Sequence, residues 1–494
     1  MDALANRERI SRLADLREAT EAVQAVTASI PPRFGGTTMS DFLVRIGHDC
    51  SSEHLLALVK TPYNGSAPKG RGFDFSWGSL AVLEDRLAAN ANIVTLNAGV
   101  LAWVGELVGG MSASLCNGLV ARLARLQHRA RDCGDSLADD PVFQQLNGAF
   151  AIVFADETGF SIVTDPLGTT QVFLGKGRGG RTVSVGTHAD VVAVAGGISD
   201  EVDCISIAQF LRQGYCVFPG TMYKDLVECR PGAVYGMCGA EDEGGAPKLW
   251  SYWSPPPETR TGYSEADLVE ALRETLLASV ADRCRRRKTG VALSGGLDSR
   301  LVIAAVPDDN DCVALTMCDT LNREARTAQR VAAAYGRSWS PMFRQEEYLA
   351  DQLVDVVRFV GCECEFVHAH LFGFADAIVG QVDVLLTGDL LDTLVRAYTA
   401  KDFGYRHKWG GLLRRRYGKV PFDGAHSPPD FWDEQIVPCV LRGTLERRKD
   451  FQERYVDPGR GSVAESLKLY PFRHWVEVAI WAAQRRRLPI NLVG

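Results

Sequence analysis

The stretch Val291-Ala292-Leu293-Ser294-Gly295-Gly296-Leu297-Asp298-Ser299-Arg300 decides how this chain is read. Its first residues form a short apolar run of the kind that makes a buried strand. Ser294 to Gly296 interrupt that run, and residues 299–305 have helical spacing. The segment therefore reads as strand, glycine loop, helix. Two glycines let backbone N–H groups approach an anion closely. A helix opening behind them adds partial positive charge. Ser294 and Ser299 contribute hydroxyl donors, and Asp298 a carboxylate able to hold Mg²⁺ against phosphates. In this context the order Ser-Gly-Gly-Leu-Asp-Ser marks a phosphate site rather than an ordinary turn. It is not a Walker loop, since no Gly-Lys-Ser/Thr follows.

Strands and helices alternate around this loop. Residues 264–282 read as a helix opened by Ser264 with Asp267 three positions on, a capping pair. Residues 290–293, 312–317 and 382–386 read as strands, and 324–335 as a helix. Such alternation predicts a parallel sheet wrapped by helices. Upstream, Ser-Pro-Pro-Pro-Glu-Thr-Arg-Thr-Gly-Tyr (254–263) makes a stiff, exposed connection. Before it the pattern changes to strands: 42–46, 150–154 and 160–163 about the turn 155–159, then 182–185 and 233–237. Helical patterns interrupt them at 118–129 and 205–212. Strands packed with a few helices predict an α+β layered domain. Residues 5–27 read as a helix stopped by Ile30-Pro31-Pro32. The expected division is an extension (1–38), a layered domain (39–253), a linker (254–263) and a parallel-sheet domain (264–494).

Composition narrows the function. The chain has 494 residues, 46% hydrophobic and 23% charged, enough for roughly two to four domains. A net charge of −7 and a pI near 5.8 argue against a nucleic-acid-coating protein. The basic runs 283–288, 414–416 and 485–487 read as solvated helix faces or ends. The longest apolar stretches, 96–108 and 377–387, are interrupted by polar residues and fall short of a membrane span. The N-terminus lacks the apolar core of a secretory signal, so a cytoplasmic location is expected. Thirteen cysteines without paired CxxC spacing read as reduced and mostly buried thiols. Cys362 and Cys364 lack partners at zinc-ligand spacing.

The Ser-Gly-Gly-Leu-Asp-Ser run is similar to the pyrophosphate loop of the N-type ATP pyrophosphatases. The chain as a whole resembles the asparagine synthetase and β-lactam synthetase family over roughly residues 40–490. Leu315-Thr316-Met317 resembles the strand that lies against adenine. Asp319-Thr320, Asn322 and Glu324-Ala325-Arg326 resemble the segment after it. Thr387-Gly388-Asp389-Leu390-Leu391-Asp392 is similar to the second nucleotide-side loop, with leucines at 390 and 391 where a small residue and Gly are usual. Leu469-Tyr470-Pro471-Phe472-Arg473-His474 resembles the family's PFLD stretch, with Arg and His replacing Leu and Asp. In the N-terminal half, Leu146-Asn147-Gly148-Ala149-Phe150-Ala151, Thr164-Asp165-Pro166-Leu167-Gly168 and the run 217–232 resemble family elements in order.

The resemblance implies an α+β Ntn-hydrolase-like layered domain followed by an α/β parallel-sheet ATP-pyrophosphatase domain. It implies ATP and Mg²⁺ as cofactors. Leu293, Ser294, Gly295, Gly296, Leu297, Asp298, Ser299, Met317, Gly388 and Asp392 would bind nucleotide, and Asp298 and Asp392 the metal. Glu363 and Glu365 are candidates for the carboxylate that deprotonates an attacking amine, with a solvated-loop role as the alternative. His368 and His370 read as structural. Members of the family often dimerise, so a homodimer is an expectation.

Three departures qualify the resemblance. The family's glutaminases use an N-terminal cysteine whose free amine serves as base. Here Asp2 follows the first Met, and Ser40 occupies the matching place before the first strand. The Asn-Gly-Glu stretch that supplies an oxyanion-hole donor is matched by Val104-Gly105-Glu106, and a valine side chain donates nothing. The family's catalytic lysine beyond PFLD has no counterpart in Gln484-Arg485-Arg486-Arg487. An arginine in its place and a truncated or degenerate copy are the open alternatives. The expected function is an ATP-dependent, asparagine synthase-like ligase that adenylates a carboxylate for attack by ammonia or an amine, with an inactive glutaminase half. A β-lactam- or macrocycle-forming synthetase and a non-catalytic nucleotide-binding relative are the alternatives. Its partners would be small molecules rather than nucleic acid or membrane.

Overall fold

The computed structural model describes residues 41–63, 67–84, 92–96, 99–128, 136–177, 180–213, 216, 218–238, 245–254, 262–285, 287–361, 370–389, 442–443, 446–447 and 490–492. The expected N-terminal helix and most of the linker at 254–263 lie outside these residues. In chain order the first strands are β1 (Phe42–Ile46), β2 (Gly70–Phe75), β3 (Gly78–Leu83), β4 (Ile93–Leu96), β5 (Gly99–Leu107) and β6 (Gly148–Asp156). They are followed by β7 (Gly159–Thr164), β8 (Phe173–Lys176), β9 (Thr182–Gly186), β10 (Leu226–Glu228), β11 (Ala233–Cys238) and β12 (Lys248–Ser251). These strands form two six-stranded sheets, ordered β10-β8-β9-β1-β3-β2 and β12-β11-β7-β6-β5-β4.

The sequence of β6, Gly-Ala-Phe-Ala-Ile-Val-Phe-Ala-Asp, explains the stacking. Successive side chains of a strand alternate between faces. Ala151, Val153 and Ala155 join the core between the sheets, with Val100, Ala102 and Val104 of β5 and Phe42, Val44, Leu80 and Val82 of the other sheet. Phe150, Ile152 and Phe154 join the core on the outer side, against Leu119, Leu123 and Leu126. Those leucines belong to the helix Ala113–His128. On β6, small residues thus face the other sheet, where Phe42 and Leu80 supply the bulk, and large ones face the helix. On the far side of the first sheet, Leu43, Ala81 and Leu83 pack with the helices Ser52–Val59 and Ala189–Gly196. The layers run helix, sheet, sheet, helix, which is the Ntn-hydrolase-type arrangement. We label the helices so far α1 (Ser52–Val59), α2 (Ala113–His128), α3 (Ala189–Gly196) and α4 (Cys204–Gln213).

A third sheet holds β13 (Thr289–Ala292), β14 (Cys312–Cys318), β15 (Ser338–Phe343), β16 (Val384–Thr387) and β17 (Ile490–Leu492). All its pairs are parallel, in the order β15-β14-β13-β16-β17. Helix α5 (Glu265–Cys284) opens with a complete capping box of Ser264 and Asp267. It is followed by α6 (Leu297–Ala305), α7 (Arg323–Ala334), α8 (Tyr348–Val360) and α9 (Ala375–Val379). Val280, Val302, Ile303, Ala328 and Ala332 of α5, α6 and α7 share one core with Val291, Ala314, Val384 and Leu386. Val356, Phe359 and Ile378 of α8 and α9 share another with Val313, Leu315 and Leu385. Adjacent strand residues therefore face opposite helical layers. The cause is handedness. The connections from β13 through β14 to β15 advance one way and the connection from β15 to β16 runs back, so right-handed crossovers fall on opposite faces. The strand order reverses between β13 and β16.

The two parts share a core. Tyr63, Val59 and Ala193 lie in one cluster with Phe359, Phe372 and Leu385. The rings of Tyr63 and Phe359 meet edge to face at 5.5 Å, and His188 Nε2 lies 2.9 Å from the Arg358 carbonyl. Glu106 of β5 and Arg287, just before β13, form an ion pair. Among the described residues, no helix is long and apolar enough to cross a membrane.

Candidate functional site

In open α/β sheets the carboxyl ends of the strands at the point where the order reverses form a natural crevice. Here that point lies between β13 and β16, and both following segments carry residues singled out from the sequence. Leu293 hydrogen-bonds through its N–H to Leu315 O at 2.8 Å, and its own carbonyl accepts from Thr316 Oγ1 at 2.8 Å. Trp339 Nε1 donates to the same hydroxyl at 2.9 Å. The strand end before the loop is thus fixed to β14, whose Thr316 is held in turn by Trp339 of β15.

The loop is organised by its serines. Ser299, buried in the first turn of α6, accepts from Ser294 N at 3.3 Å, and the two hydroxyls lie 3.2 Å apart. Gly296 N donates to Ser294 Oγ at 3.2 Å. Gly295 turns at φ +80, a conformation that favours glycine. A Cβ there would also stand 3.1 Å from Glu324 O, so the loop is pressed against α7. Ser294, Gly296 and Leu297 remain exposed. The N–H groups of Leu297, Asp298 and Ser299 have no acceptor among the described residues, as expected for a helix start left open for an anion.

Gly388 completes the crevice. A Cβ on it would lie 2.9 Å from the Asp298 carbonyl carbon and 3.0 Å from Ser299 N. The segments after β13 and β16 therefore touch through backbone, and glycine allows that approach. The structure brings Leu293, Ser294, Gly295, Gly296, Leu297, Asp298, Ser299 and Gly388 together. Met317, half-buried, is the last residue but one of the neighbouring strand β14. Asp392, Glu363, Glu365, His368 and the Cys362–Cys364 pair lie outside the described residues. Exposed donors, a half-buried carboxylate and glycine-lined backbone fit a polyphosphate with a divalent cation, which usually needs only one or two protein carboxylates beside phosphate oxygens. Among the described residues no group of three or more His, Cys, Asp or Glu is arranged to hold a metal alone.

Charged residues extend the same sheet edge, and the sequence did not reveal their grouping. Arg344, after β15, grips Asp319, after β14, through Nε at 2.7 Å and a terminal nitrogen at 3.0 Å. The His370 carbonyl accepts from Tyr348 OH at 2.5 Å. Although much of His370 is exposed, desolvation by nearby protein atoms, followed by the Arg344 charge, lowers its imidazole pKa against the opposing pull of Asp389. Only the positions at strand ends could have signalled this cluster, because its members are far apart in sequence.

The positions matched to a glutamine site are arranged differently. Ser40 lies outside the described residues. The next residue, Asp41, is fully buried and accepts from Tyr63 OH and from Thr187 Oγ1 at 2.6 Å. Val104 lies in the apolar core between the sheets. The Glu106 carboxylate pairs with Arg287, and Arg283 is close enough for Glu106 to oppose the effect of burial on its guanidinium. Burial lowers the Arg283 pKa. The Asp165 carboxylate, in the Thr-Asp-Pro-Leu-Gly turn, accepts N–H groups from Phe150, Leu167, Thr169 and Thr170 at 2.8–3.3 Å. That turn is a structural knot.

Among the described residues all nine cysteines are free thiols; seven are buried, Cys50 is half-buried and Cys204 is exposed. Cys312 is typical of the buried set, its thiol pushed by burial to about 12.

The fold and loop define a parallel-sheet α/β domain with a glycine-rich loop between β13 and α6, joined to an Ntn-type layered domain. Residues 271–468, about two fifths of the chain, match the asparagine synthase family model. The chain thus carries an asparagine synthase domain, of the general class of ATP-dependent ligases. No curated protein sequence matches the chain. Similar solved structures include glutamine phosphoribosylpyrophosphate amidotransferase from B. subtilis, with 13% identity over 70% of this chain and 74% of that one and a TM-score of 0.27. The NH3-dependent NAD synthetase from Campylobacter jejuni has 16% identity over 42% of this chain and 93% of that one, with a TM-score of 0.19. NMN synthetase from Francisella tularensis has 14% identity over 40% and 92%, with a TM-score of 0.20.

Proposed function

We propose that this protein is an ATP-dependent amide-forming ligase. It adenylates a carboxylate with release of pyrophosphate, and ammonia or an amine then displaces AMP. The observation that carries this reading is the contact of Gly388 with the first turn of α6, at the point where the strand order reverses. In the proposed reaction, the open N–H groups of α6 and the hydroxyl of Ser294 bind the phosphates. Ser299 fixes the loop from behind. Asp298, with Asp392, would hold Mg²⁺, which would neutralise phosphate charge. Positioning and charge neutralisation supply the catalysis, with no covalent step by the protein. Glu363 and Glu365 are the proposed carboxylates for deprotonating the amine.

The N-terminal domain, in this reading, does not hydrolyse glutamine. Three observations support it: an apolar Val104 side chain in the inter-sheet core, a Glu106 carboxylate bound to arginine, and Asp41 enclosed by Tyr63 and Thr187. Losing one oxyanion donor alone costs about 3 kcal/mol of transition-state stabilisation.

The test is ATP–pyrophosphate exchange over a panel of small carboxylic acids, aspartate included, with the wild type and Asp298→Ala. At least one acid should drive exchange in the wild type and not in the variant. Product formation should proceed with ammonia or an amine and not with glutamine. If the folded protein binds no Mg·ATP, the ligase reading fails.

A further inference from the structure

Arg300 lies in the first turn of α6, directly after the Ser-Gly-Gly-Leu-Asp-Ser run. Helical side chains lean toward the N-terminus of their helix, and this one follows the rule. Its Nε donates to the Gly296 carbonyl at 3.1 Å, the same oxygen that receives the Arg300 backbone N–H at 3.3 Å. Gly296 is both a loop residue and the residue that starts the helix. One side-chain bond therefore folds the guanidinium back along the turn whose N–H groups are open.

A guanidinium carries five N–H donors, and Nε uses one. The four on the terminal nitrogens have no acceptor among the described residues, and no carboxylate pairs with this arginine there. Arg344, at the end of a neighbouring strand, differs: Asp319 holds it in a two-pronged pair. Arg287 is likewise paired, with Glu106. Among the described residues Arg300 is thus a cation anchored at one end, with its fork uncommitted, beside the one acidic residue of the first turn, Asp298.

We propose that Arg300 contacts the polyphosphate of a nucleotide bound at the Ser294–Ser299 loop and selects for nucleotides with more than one phosphate. The inference rests on the nucleotide reading above and goes beyond it. The physical case has three parts. The planar fork matches two phosphate oxygens, which an ammonium cannot do. The positive charge offsets the repulsion that Asp298 would exert on phosphate. The Nε bond orders the side chain beforehand, so less rotamer entropy is lost on binding.

Calorimetry with Mg·ATP, AMP and inorganic pyrophosphate tests the assignment in the wild type, Arg300→Met and Arg300→Lys. Methionine keeps an apolar stem on a half-exposed helical position, so folding is preserved. Arg300→Met should weaken Mg·ATP and pyrophosphate by roughly ten- to a hundredfold. AMP affinity should stay within twofold, and Arg300→Lys should recover part of the loss. Equal losses for AMP and ATP would mean that the residue only shapes the loop, and would overturn the assignment. An unchanged ATP affinity in Arg300→Met would overturn it too, leaving the nucleotide reading intact. If folded wild type binds neither Mg·ATP nor pyrophosphate, both fall together.

Discussion

Gly388→Ala perturbs the proposed site at a single point. The added carbon would stand 2.9 Å from the Asp298 carbonyl carbon, 3.0 Å from Ser299 N and 3.1 Å from Asp298 Cβ. Ordinary carbon contacts begin about half an ångström to an ångström further out, and the first two of these neighbours are backbone atoms that cannot rotate away. Gly388 is not in the left-handed region, so alanine brings no torsional penalty and the effect is purely steric. The segment after β16 must retreat from the first turn of α6. Overpacking of this kind costs about 1–3 kcal/mol, and a misplacement of about 1 Å can cost 10²-fold in a positioned reaction. The expected result is a Kd for Mg·ATP weakened about tenfold, pyrophosphate release slowed about a hundredfold, and a Tm lowered by only a few degrees. Gly380→Ala is the control, because its nearest neighbour would lie 3.7 Å away; it should change none of these. Gly388→Ala with affinity and turnover within threefold of wild type would refute the claim that the two segments jointly form the site.

Three further predictions concern the layered domain. Glu106→Gln should destabilise more than Arg287→Gln in urea unfolding, by about 2–3 against less than about 1 kcal/mol, because it leaves buried Arg283 without its opposing charge; equal losses would refute this. Asp165→Asn should cost about 3 kcal/mol or more, since a carboxamide cannot accept all four N–H groups that Asp165 now receives; a loss below about 1 kcal/mol would show that water replaces it. Burial, and secondarily the Asp165 charge, raise the Tyr252 phenol well above its ordinary pKa, while its hydroxyl donates to Thr164 O at 2.6 Å. This contribution to stability is complete below about pH 10 and declines above it, as the unfolded chain loses the phenolic proton first. Tyr252→Phe should flatten the fall in stability above that pH, and an unchanged slope in alkaline unfolding would count against the assignment.

The elements read most accurately were those with strong local signals. The turn between Phe154 and Phe160, the Ser264–Asp267 cap and the strand-loop-helix around Ser294 all depend on near neighbours, and the structure places them as expected within a few residues. The β2–β3 hairpin was missed because Gly70 and Gly72 weaken its strand signal. They are required there, since a Cβ on Gly72 would lie 2.8 Å from Ser52 Cβ and Oγ. Helix α3 was missed because Val-Val-Ala-Val reads equally well as a strand. It is helical because Gly197 ends it at φ 65 and because Val191 and Val192 are buried beside Leu43 and Leu55. β6 was legible as a strand, but apolar on both faces it gave no hint of which residues meet the second sheet and which the helix.

The proposed site was legible in part for the same reason. The proposed phosphate loop is one contiguous run, whereas Asp319, Arg344 and Asp389 follow three different parallel strands, β14, β15 and β16, and His370 joins them from beyond α8. The pairing of Glu106 with Arg287 is still less visible in sequence, because it joins β5 to the residue entering β13 across two domains. Arg287 lies just before Thr289, whose strand leads without interruption to Leu293 and the loop, and Leu293 is itself bonded to β14 on both of its backbone polar groups. A carboxylate of the layered domain thus meets the base of the strand whose other end presents the open N–H groups of α6. The arginine of that pair is part-exposed, so the pair marks where the layered domain meets the parallel sheet rather than clamping the loop, in keeping with the small loss expected for Arg287→Gln.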